Sequence, residues 1–316
     1  MQVEPSTVTP SVTLLGPQRR PTLDRVLTSL GVEGQIAAVT AGWQEREAED
    51  AELMALLGGR GVNLRLHARW MDVLARDAEY ARAEREHTTV LDELQQLYLV
   101  QLDHAARATY EIAQRVDGHP RTKATVLEDA LEVMRVIDTT HLTRVRELHD
   151  AFYAAWPPHE RDTVARHRDE VAQALASSGC LCIAGGHVGE LVKVLHLFNI
   201  APAVPGTVVA WSAGAMALTS RVVLFHDKAA QGPGQTEVYD EGLGLVPGLV
   251  VLPHARRRLR TDDLTRMSVL ARRFAPARCV VLDDGVSLQL GDGGALPPAA
   301  RVVDADGRIV ETGATT

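Results

Sequence analysis

The sequence predicts an α/β protein in which a doubly wound, mostly parallel sheet is interrupted by a long α-helical hairpin. At both ends of the 316-residue chain, short apolar runs alternate with amphipathic stretches, the pattern of parallel strands covered by helices. Between about residues 69 and 156 there is almost no glycine or proline outside the break DGHPR (117–121), which predicts helix. We therefore expect an α/β domain from residues 1–68 and 158–316, with residues 69–157 as a helical insertion.

The amino-terminal part alternates between predicted strands and helices. Strands are predicted at SVTLLG (11–16), QIAAVTAG (35–42) and GVNLRLH (61–67). One amphipathic helix ends near Leu30 and a second ends near Leu57, so each gap between these strands contains a helix.

Apolar positions in the insertion recur at spacings of three and four, which predicts two long helices. These positions are Leu91, Leu94, Tyr98, Ala105, Ile112 and Val116 in the first helix, and Leu127, Leu131, Met134, Ile137, Val145, Leu148 and Phe152 in the second. The Gly-Pro break between them predicts an antiparallel hairpin, and the alternative is a set of ordinary core helices in a helical domain.

The alternation of strands and helices returns after Pro157 and Pro158. Helices are predicted at about 159–177 and around ELVKVLHLF (190–198). Strands are predicted at CLCIAGG (180–186), TVVAW (207–211), RVVLF (221–225), LVVLP (249–253), RCVVLD (278–283), VSLQL (286–290) and RVVDA (301–305). We expect the last of these strands to form a mixed, partly antiparallel edge.

The composition favours a soluble, cytoplasmic protein. The chain has 41 acidic and 33 basic side chains and a formal net charge of −8, which disfavours binding to nucleic acid or to an anionic membrane through bulk positive charge. The opening residues MQVEPSTVTP do not have the pattern of a signal peptide, and the long uncharged run 197–220 contains Pro and Gly breakers. Of three cysteines, Cys180 and Cys182 lie in an apolar run, so we expect buried free thiols rather than disulfides.

The sharpest chemical signal is TVVAWSAGAMAL (207–218), a β-rich run followed by Ser212 among small residues and then by helix formers. A tight strand-to-helix turn exposes a nucleophilic hydroxyl, and the N–H groups at the helix start can stabilise an oxyanion. The GxSxG pattern of such turns is met in part, because Ala210 replaces the first glycine and Gly214 keeps the second. The alternative is an ordinary helix start.

The segment IAGGHVGEL (183–191) repeats the order of strand, glycine and helix. Paired glycines allow the backbone to come close to a ligand, and their N–H groups could complete an oxyanion hole. The alternatives are a simple loop or a phosphate cradle, although neither GxGxxG nor GxxxxGK is present.

A serine nucleophile also needs a base and an acid that orients it. His254 follows the apolar run LVVLP, so it lies at the carboxyl end of a strand, where open α/β sheets have their active sites. We select it as the base. The possible acids are Asp227, which follows RVVLFH, and three carboxylates of the next loop, namely Glu237, Asp240 and Glu241. Any one of them could equally be a solvated loop residue.

Five segments support a more specific interpretation. They are IAGG (183–186), AWSAGA (210–215), FHD (225–227), GLGLVPGLVVLPH (242–254) and VVLDDGVSL (280–288). Together they resemble the serine peptidases of the dipeptidase E and cyanophycinase family, which have the class I glutamine amidotransferase-like fold. The resemblance covers residues 11–67 weakly and 170–310 well.

The resemblance implies roles for particular residues. It makes Ser212 the nucleophile, His254 the base and Asp227 the preferred acid, with an oxyanion hole at the backbone of Gly186 and Ala213. It also implies a peptidase rather than a glutaminase, because a glutaminase would have cysteine at the position of Ser212.

The chain departs from the family pattern at three positions, which leaves its peptide specificity open. His187 follows the paired glycines where the family usually has Asn or Asp, Trp211 precedes the serine, and Ala255 follows the histidine in place of the aromatic residue of cyanophycinase-like members. We count His187 among the candidate substrate-binding residues.

Four arginines follow the proposed base in HARRRLR (254–260). Guanidinium groups at the edge of a cleft suit a substrate carboxylate, which the family's aspartyl peptides would supply. We therefore expect Arg256, Arg258 and Arg260 to bind an acidic substrate. The alternative is a solvated basic helix start that is balanced by Asp262 and Asp263.

The sequence thus predicts a serine hydrolase that cleaves a peptide or amide bond next to an acidic residue. Neither a metal nor an organic cofactor is implied, because the histidines form no HExxH motif and the cysteines have no paired metal-ligand spacing. The alternative is a catalytically silent scaffold whose hairpin binds a protein partner.

We also expect the hairpin to project from the sheet domain and to pair with a second subunit, because several of its apolar positions lie off the seam between its helices. These positions are Leu97, Leu99, Val100, Leu102, Val133 and Val136. A helical lid over the active site is the other possibility.

Overall fold

The computed structural model describes residues 10–228 and 234–313. Residues 1–9, on which the expectation of no signal peptide depends, lie outside that part. The amino-terminal elements are β1 (Ser11–Leu15), α1 (Leu23–Ser29), β2 (Gln35–Val39), α2 (Ala51–Leu56), β3 (Gly61–Asn63) and α3 (Leu66–Arg76). The hairpin consists of α4 (Ala78–Gln114) and α5 (Pro120–Ala155).

The elements after the hairpin alternate as the sequence predicts. They are α6 (Asp162–Ala176), β4 (Ser178–Ile183), α7 (Val188–Leu197), β5 (Thr207–Trp211), α8 (Ala213–Ala217), β6 (Val222–Leu224) and β7 (Glu237–Asp240). The chain continues with β8 (Leu249–Pro253), α9 (Ala255–Arg258), α10 (Leu264–Phe274), β9 (Arg278–Leu282), β10 (Ser287–Gln289), β11 (Arg301–Val303) and β12 (Ile309–Glu311).

The main sheet has six strands in the order β10-β1-β5-β4-β2-β3, and all of its pairs are parallel except β10 with β1. Successive residues of its strands point to opposite faces. On one face Ile36 and Cys182 pack with Leu23 of α1, and on the other Ala37 and Leu181 belong to the larger core that includes α7. Helices therefore cover both faces, and the mixed α/β class with a mostly parallel sheet is confirmed.

The predicted mixed edge is a separate four-stranded sheet in the order β12-β11-β9-β8. The two sheets meet at the turn that joins β9 to β10. There is no room for a side chain on Gly16 at the end of β1, because a Cβ atom would lie 1.9 Å from the carbonyl oxygen of Asp283 at the end of β9. Strand β5 pairs with β1 and strand β8 pairs with β9, so all four strands end beside this turn.

The long helical hairpin is also confirmed, although its first helix begins later than predicted. Residue Asp77 ends α3, and its side chain accepts a hydrogen bond from the backbone N–H of Tyr80 to cap α4. The predicted strand 61–67 is correspondingly shorter, because α3 begins at Leu66.

The hairpin does not project freely along its whole length, because it packs against α10 and β7. Four of the predicted off-seam residues are exposed, namely Leu97, Val100, Val133 and Val136, whereas Leu99 is half-buried. The expectation for Leu102 is wrong: its side chain is fully buried in the main core. Among the described helices, none combines the length and the apolar character that crossing a membrane requires.

Candidate active site

Ser212 occupies a sharp turn between a buried strand and a short helix. Strand β5 ends at Trp211 and α8 begins at Ala213, while Ser212 itself has φ 53° and ψ −121°. A non-glycine residue in this region stores of order 1–3 kcal/mol of backbone strain, which is typical of functional sites. The half-buried side chain packs against Gly185, where an added Cβ atom would lie 3.2 Å from the Oγ atom of Ser212.

The short helix α8 can pack against the end of β4 only because Gly214 has no side chain. A Cβ atom on Gly214 would lie 2.3 Å from the carbonyl oxygen of Ile183. The one glycine that the sequence retains from the GxSxG pattern is therefore the one that this packing requires.

The paired glycines lie beside this turn, at the end of β4. Gly186 has φ 131°, and a Cβ atom there would lie 2.2 Å from the carbonyl oxygen of Gly42. That carbonyl accepts a hydrogen bond of 2.7 Å from the backbone N–H of His187. Gly42 belongs to a 3-10 turn, Ala41–Arg46, for which the sequence predicts the end of a strand.

Two backbone donors near Ser212 have no backbone acceptor within the described chain. They are the N–H groups of Gly186 and Ala213, the predicted oxyanion-hole residues. Ala213 is the first residue of α8, so its N–H group is one of the donors that a helix start leaves unpaired. Such donors can stabilise a developing oxyanion.

His254 follows β8 in a left-handed conformation, with φ 56° and ψ 32°. Its backbone N–H lies 3.3 Å from the carbonyl oxygen of Leu282. Burial lowers the pKa of the half-buried imidazole, the charge of Arg258 lowers this pKa further, and Asp284 opposes both effects. The ring is therefore neutral at pH 7 and can accept a proton. In the described residues no hydrogen bond joins His254 to Ser212.

The carboxylate of Asp227 is buried and binds two groups other than His254. Its Oδ1 atom accepts a hydrogen bond of 2.6 Å from the guanidinium of Arg266, and its Oδ2 atom accepts one of 3.2 Å from the backbone N–H of Arg260. Asp227 thus ties the loop after β6 to α10.

The other three predicted acids also contact partners other than His254. Glu237 accepts a hydrogen bond of 2.9 Å from Gln95, Asp240 lies 3.3 Å from His149, and Glu241 pairs with Arg146. All three partners belong to the hairpin, so the loop carboxylates hold the hairpin and β7 together.

The prediction omitted two carboxylates that lie at the end of β9, beside His254. Pro253 and Leu282 are paired residues of β8 and β9, so His254 and Asp283 leave the second sheet at the same edge. One oxygen of Asp283 accepts a hydrogen bond of 3.2 Å from the backbone N–H of Arg256, and the other lies 3.4 Å from the Nε atom of Arg256 in an ion pair. Asp283 closes the predicted strand RCVVLD and Asp284 follows it, and this position at a strand end could have identified them.

The arginines after His254 differ in their partners. Arg256 lies 3.4 Å from Asp283, and Arg257 lies 3.9 Å from Asp284. Arg260 is exposed and binds Asp227 through its backbone alone. Arg258 is half-buried and makes no ion pair in residues 10–228 and 234–313, and burial lowers the pKa of its guanidinium.

His187 caps helix α7 rather than facing the arginines. Its Nδ1 atom accepts a hydrogen bond of 3.1 Å from the backbone N–H of Glu190. Within the described chain, no group of three or more His, Cys, Asp or Glu side chains has an arrangement that could hold a metal ion.

Comparison with solved structures yields structural likenesses, among them a distant one to a peptidase. No family model matches the chain, and no curated protein matches it. The crystal structure of a peptidase from an acI-B1 Actinobacterium is 14% identical, with 93% of this chain and 87% of that chain covered and a TM-score of 0.39. So distant a likeness does not establish a shared fold, and the function must be argued from the site.

Proposed function

We propose that this protein is a serine hydrolase that cleaves a peptide or amide bond next to an acidic residue, with Ser212 as the nucleophile. The observation that carries the proposal is the strained turn at Ser212, which places the hydroxyl between a parallel strand and a helix start. The five segments quoted above favour the dipeptidase E and cyanophycinase family and its amidotransferase-like fold.

In the proposed reaction the Oγ atom of Ser212 attacks the substrate carbonyl carbon while its proton passes to His254. The oxyanion binds the N–H groups of Gly186 and Ala213. The leaving amine takes the proton from His254 as the carbon–nitrogen bond breaks, which leaves an acyl-enzyme. Water then attacks the ester and gives its proton to His254, and the released Ser212 regains the proton.

We assign the orientation of His254 to Asp284, with Asp283 beside it. Because Pro253 pairs with Leu282, His254 and these aspartates follow their strands at the same edge of the second sheet, and the charge of Asp284 partly opposes the lowering of the pKa of His254. Asp227 is the weaker candidate, because Arg266 and the backbone of Arg260 already occupy its two oxygens.

The preference for an acidic substrate is assigned to Arg258. Its guanidinium is near enough to His254 to lower the pKa of that residue, and no carboxylate in the described part of the chain neutralises it. A charge-assisted hydrogen bond to a substrate carboxylate would offset the cost of keeping this cation half-buried.

Covalent labelling with a fluorophosphonate tests the proposed nucleophile. We expect the wild-type protein to be labelled and the Ser212→Ala variant not to be labelled. Ser220→Ala is the matched control, because this exposed serine lies eight residues along the same segment. Labelling that persists in Ser212→Ala, or its absence from the wild type, would refute the proposal.

Paired peptides test the specificity. We expect kcat/KM to be higher for aspartyl than for asparaginyl peptides, and the ratio to fall about tenfold or more in Arg258→Gln, because a charged hydrogen bond contributes about 1.5–3 kcal/mol. Arg308→Gln changes an exposed arginine elsewhere and should leave the ratio unchanged. Equal kcat/KM values for the two peptides in the wild type would contradict the assignment.

The competing function is a silent scaffold that binds a protein through the hairpin, and one observation favours it. Leu97, Val100, Val133 and Val136 are 59%, 58%, 53% and 55% exposed, and large exposed apolar residues mark interaction surfaces. The same residues would serve a homodimer. Sedimentation of the wild type and of Leu97→Asp separates a dimer from a monomer, and fluorophosphonate labelling separates the enzyme from the scaffold.

A further inference from the structure

A cavity of about 520 Å³ lies between helix α7 and the hairpin. This volume is within the range of pockets that bind small ligands. Its wall along α7 begins at His187 and ends at Leu197. His187 follows Gly185 by two residues, and Gly185 contacts the side chain of Ser212. One end of the cavity is therefore close to the proposed nucleophile.

Arg168 lines the far end of this cavity. Its Nε atom donates a hydrogen bond of 2.7 Å to the carbonyl oxygen of Leu197, and no ion pair forms at its guanidinium within the described residues. The surrounding groups include the phenol rings of Tyr80 and Tyr153. Burial lowers the pKa of Arg168, and Tyr153 and Tyr80 oppose this effect only in part.

The other two cations of the cavity are already neutralised. The Nζ atom of Lys193 lies 3.5 Å from Glu84 and 3.6 Å from Glu190. Arg146 pairs with Glu241. Arg168 is consequently the cation of the cavity that is available to pair with an anionic ligand.

The cavity also has an unpaired anionic atom. Glu190 shares the ammonium group of Lys193 with Glu84 through its Oε1 atom, whereas its Oε2 atom is buried and has no hydrogen-bond partner among the residues described. A buried carboxylate oxygen without a partner is costly, and an ammonium group would satisfy it. Glu190 lies in the first turn of α7, between His187 and Arg168 along the cavity.

The spacing of these two charges fits a short peptide. Glu190 and Leu197 are seven residues apart on one helix, which is about 10 Å at 1.5 Å per residue. An extended chain covers about 3.3–3.6 Å per residue, so about three residues bridge the distance.

We infer that this cavity binds a peptide of about three residues with free ends, its α-ammonium group on Glu190 and its α-carboxylate on Arg168. The ammonium end lies nearer to Ser212, which is the orientation of the carboxyl-terminal fragment that peptide hydrolysis releases. The assignment as a product site rests on the proposed function, whereas the binding itself does not.

Thermal unfolding of the Ser212→Ala variant measures this binding without turnover. The probes are pools of tripeptides grouped by carboxyl-terminal residue, each prepared with free ends, as the carboxyl-terminal amide and as the N-acetyl form. We expect at least one free pool to raise Tm by about 2 °C at tenfold excess over Kd, because a ligand that binds only the folded state stabilises it. We expect the amidated and acetylated forms of that pool to give less than half of this shift.

Two variants in the same background assign the contacts. Arg168→Gln should abolish the difference between the free and amidated pools, and Glu190→Gln the difference between the free and acetylated pools. Arg166→Gln is the matched control, because this exposed arginine of α6 pairs with Asp72 at the surface. If one variant fails to fold, the other still tests its own end of the peptide.

Several results would overturn the inference. The first is that no pool with free ends raises Tm, and the second is that the blocked pools raise Tm as much as the free pools do. The third is an Arg168-dependent rise in Tm of the same size with acetate or inorganic phosphate, which would indicate a small-anion site. Fluorophosphonate labelling is independent of these results. Labelling without peptide binding refutes only the cavity assignment, and peptide binding without labelling refutes only the hydrolase.

Discussion

The contact between the hairpin and the rest of the molecule includes one fully buried ion pair, and its removal should be costly. Asp138 of α5 and Arg273 of α10 are each only 3% exposed. The guanidinium donates hydrogen bonds of 2.7 and 2.5 Å to the two carboxylate oxygens, and a third of 2.6 Å to the carbonyl oxygen of Thr236. Tyr98 of α4 donates one of 2.9 Å to the same carboxylate.

Replacing Asp138 by Asn removes the charge but keeps the size of the side chain. Arg273 then stays buried without a counter-ion, and breaking a buried pair in this way costs about 3–5 kcal/mol. The Tyr98→Phe variant loses a neutral hydroxyl, which also accepts a hydrogen bond of 3.0 Å from the backbone N–H of Val238. Its expected cost is about 1–3 kcal/mol.

Urea unfolding of the wild type and the two variants measures these free energies. Asp129→Asn is the matched control, since this exposed aspartate lies on the same helix, and we expect a change within about 0.5 kcal/mol. A double variant, Asp138→Leu with Arg273→Met, should recover much of the stability, because no charge remains buried. A loss below about 1 kcal/mol in Asp138→Asn would refute the reasoning, because a buried guanidinium cannot lose its counter-ion so cheaply.

Three further predictions concern the candidate site and the hairpin. Gly186→Ala should lose about 2–4 kcal/mol of stability, because an alanine there has an unfavourable positive φ and clashes with a backbone carbonyl. Its kcat should also fall by about 10²-fold, because an oxyanion donor moves. Gly206→Ala, which has open space around it, is the control and should change neither quantity; urea unfolding and peptide hydrolysis measure the two effects. The pH profile of kcat/KM should have its acidic limb below pH 6.5, because the pKa of His254 is lowered and the base must be neutral; an acidic limb above that pH would contradict this role. Burial holds the pKa of His87 at about 4, below its ordinary 6.5, so the unfolded chain binds more protons between these values. The contribution of neutral His87 to the free energy of unfolding is therefore fully present above pH 6.5, and about 1–2 kcal/mol of it, after allowance for partial exposure, is lost as the pH falls towards 4. Urea unfolding across this pH range should show a smaller loss for His87→Gln than for the wild type.

Local patterns in the sequence were sufficient to predict most of the strands, because each buried strand is a continuous apolar run. The run LVVLP became β8 with the same bounds, Leu249–Pro253. The strands β7 and β12 were not predicted, because EVYD and IVE are short and partly polar. The separation into sheets of six, four and two strands, the last formed by β6 and β7, was not predictable either, since apolar runs do not indicate which strands pair with one another.

The candidate site shows the same division between local and long-range information. A small-residue turn after a strand was enough to predict the position of Ser212, because that geometry is local. Asp227 is predicted as the acid because it closes the run RVVLFHD and because the resemblance favours it, but its ion pair is with Arg266, 39 residues away. Asp283 and Asp284 lie beside His254 because β8 and β9 pair, and that pairing is a long-range property.

The buried ion pair between Asp138 and Arg273 argues against the lid role that was one of the two expectations for the hairpin. A lid must open, and opening would separate Asp138 from Arg273 and strip the counter-ion from a buried guanidinium. The hairpin also contacts β7, and Tyr239, Asp240 and Glu241 at the end of that strand line the cavity beside α7. A hairpin fixed by a buried ion pair is therefore a wall of this cavity. It follows that Asp138→Asn should weaken peptide binding in the cavity more than it changes labelling of Ser212, which lies in the main sheet at β5.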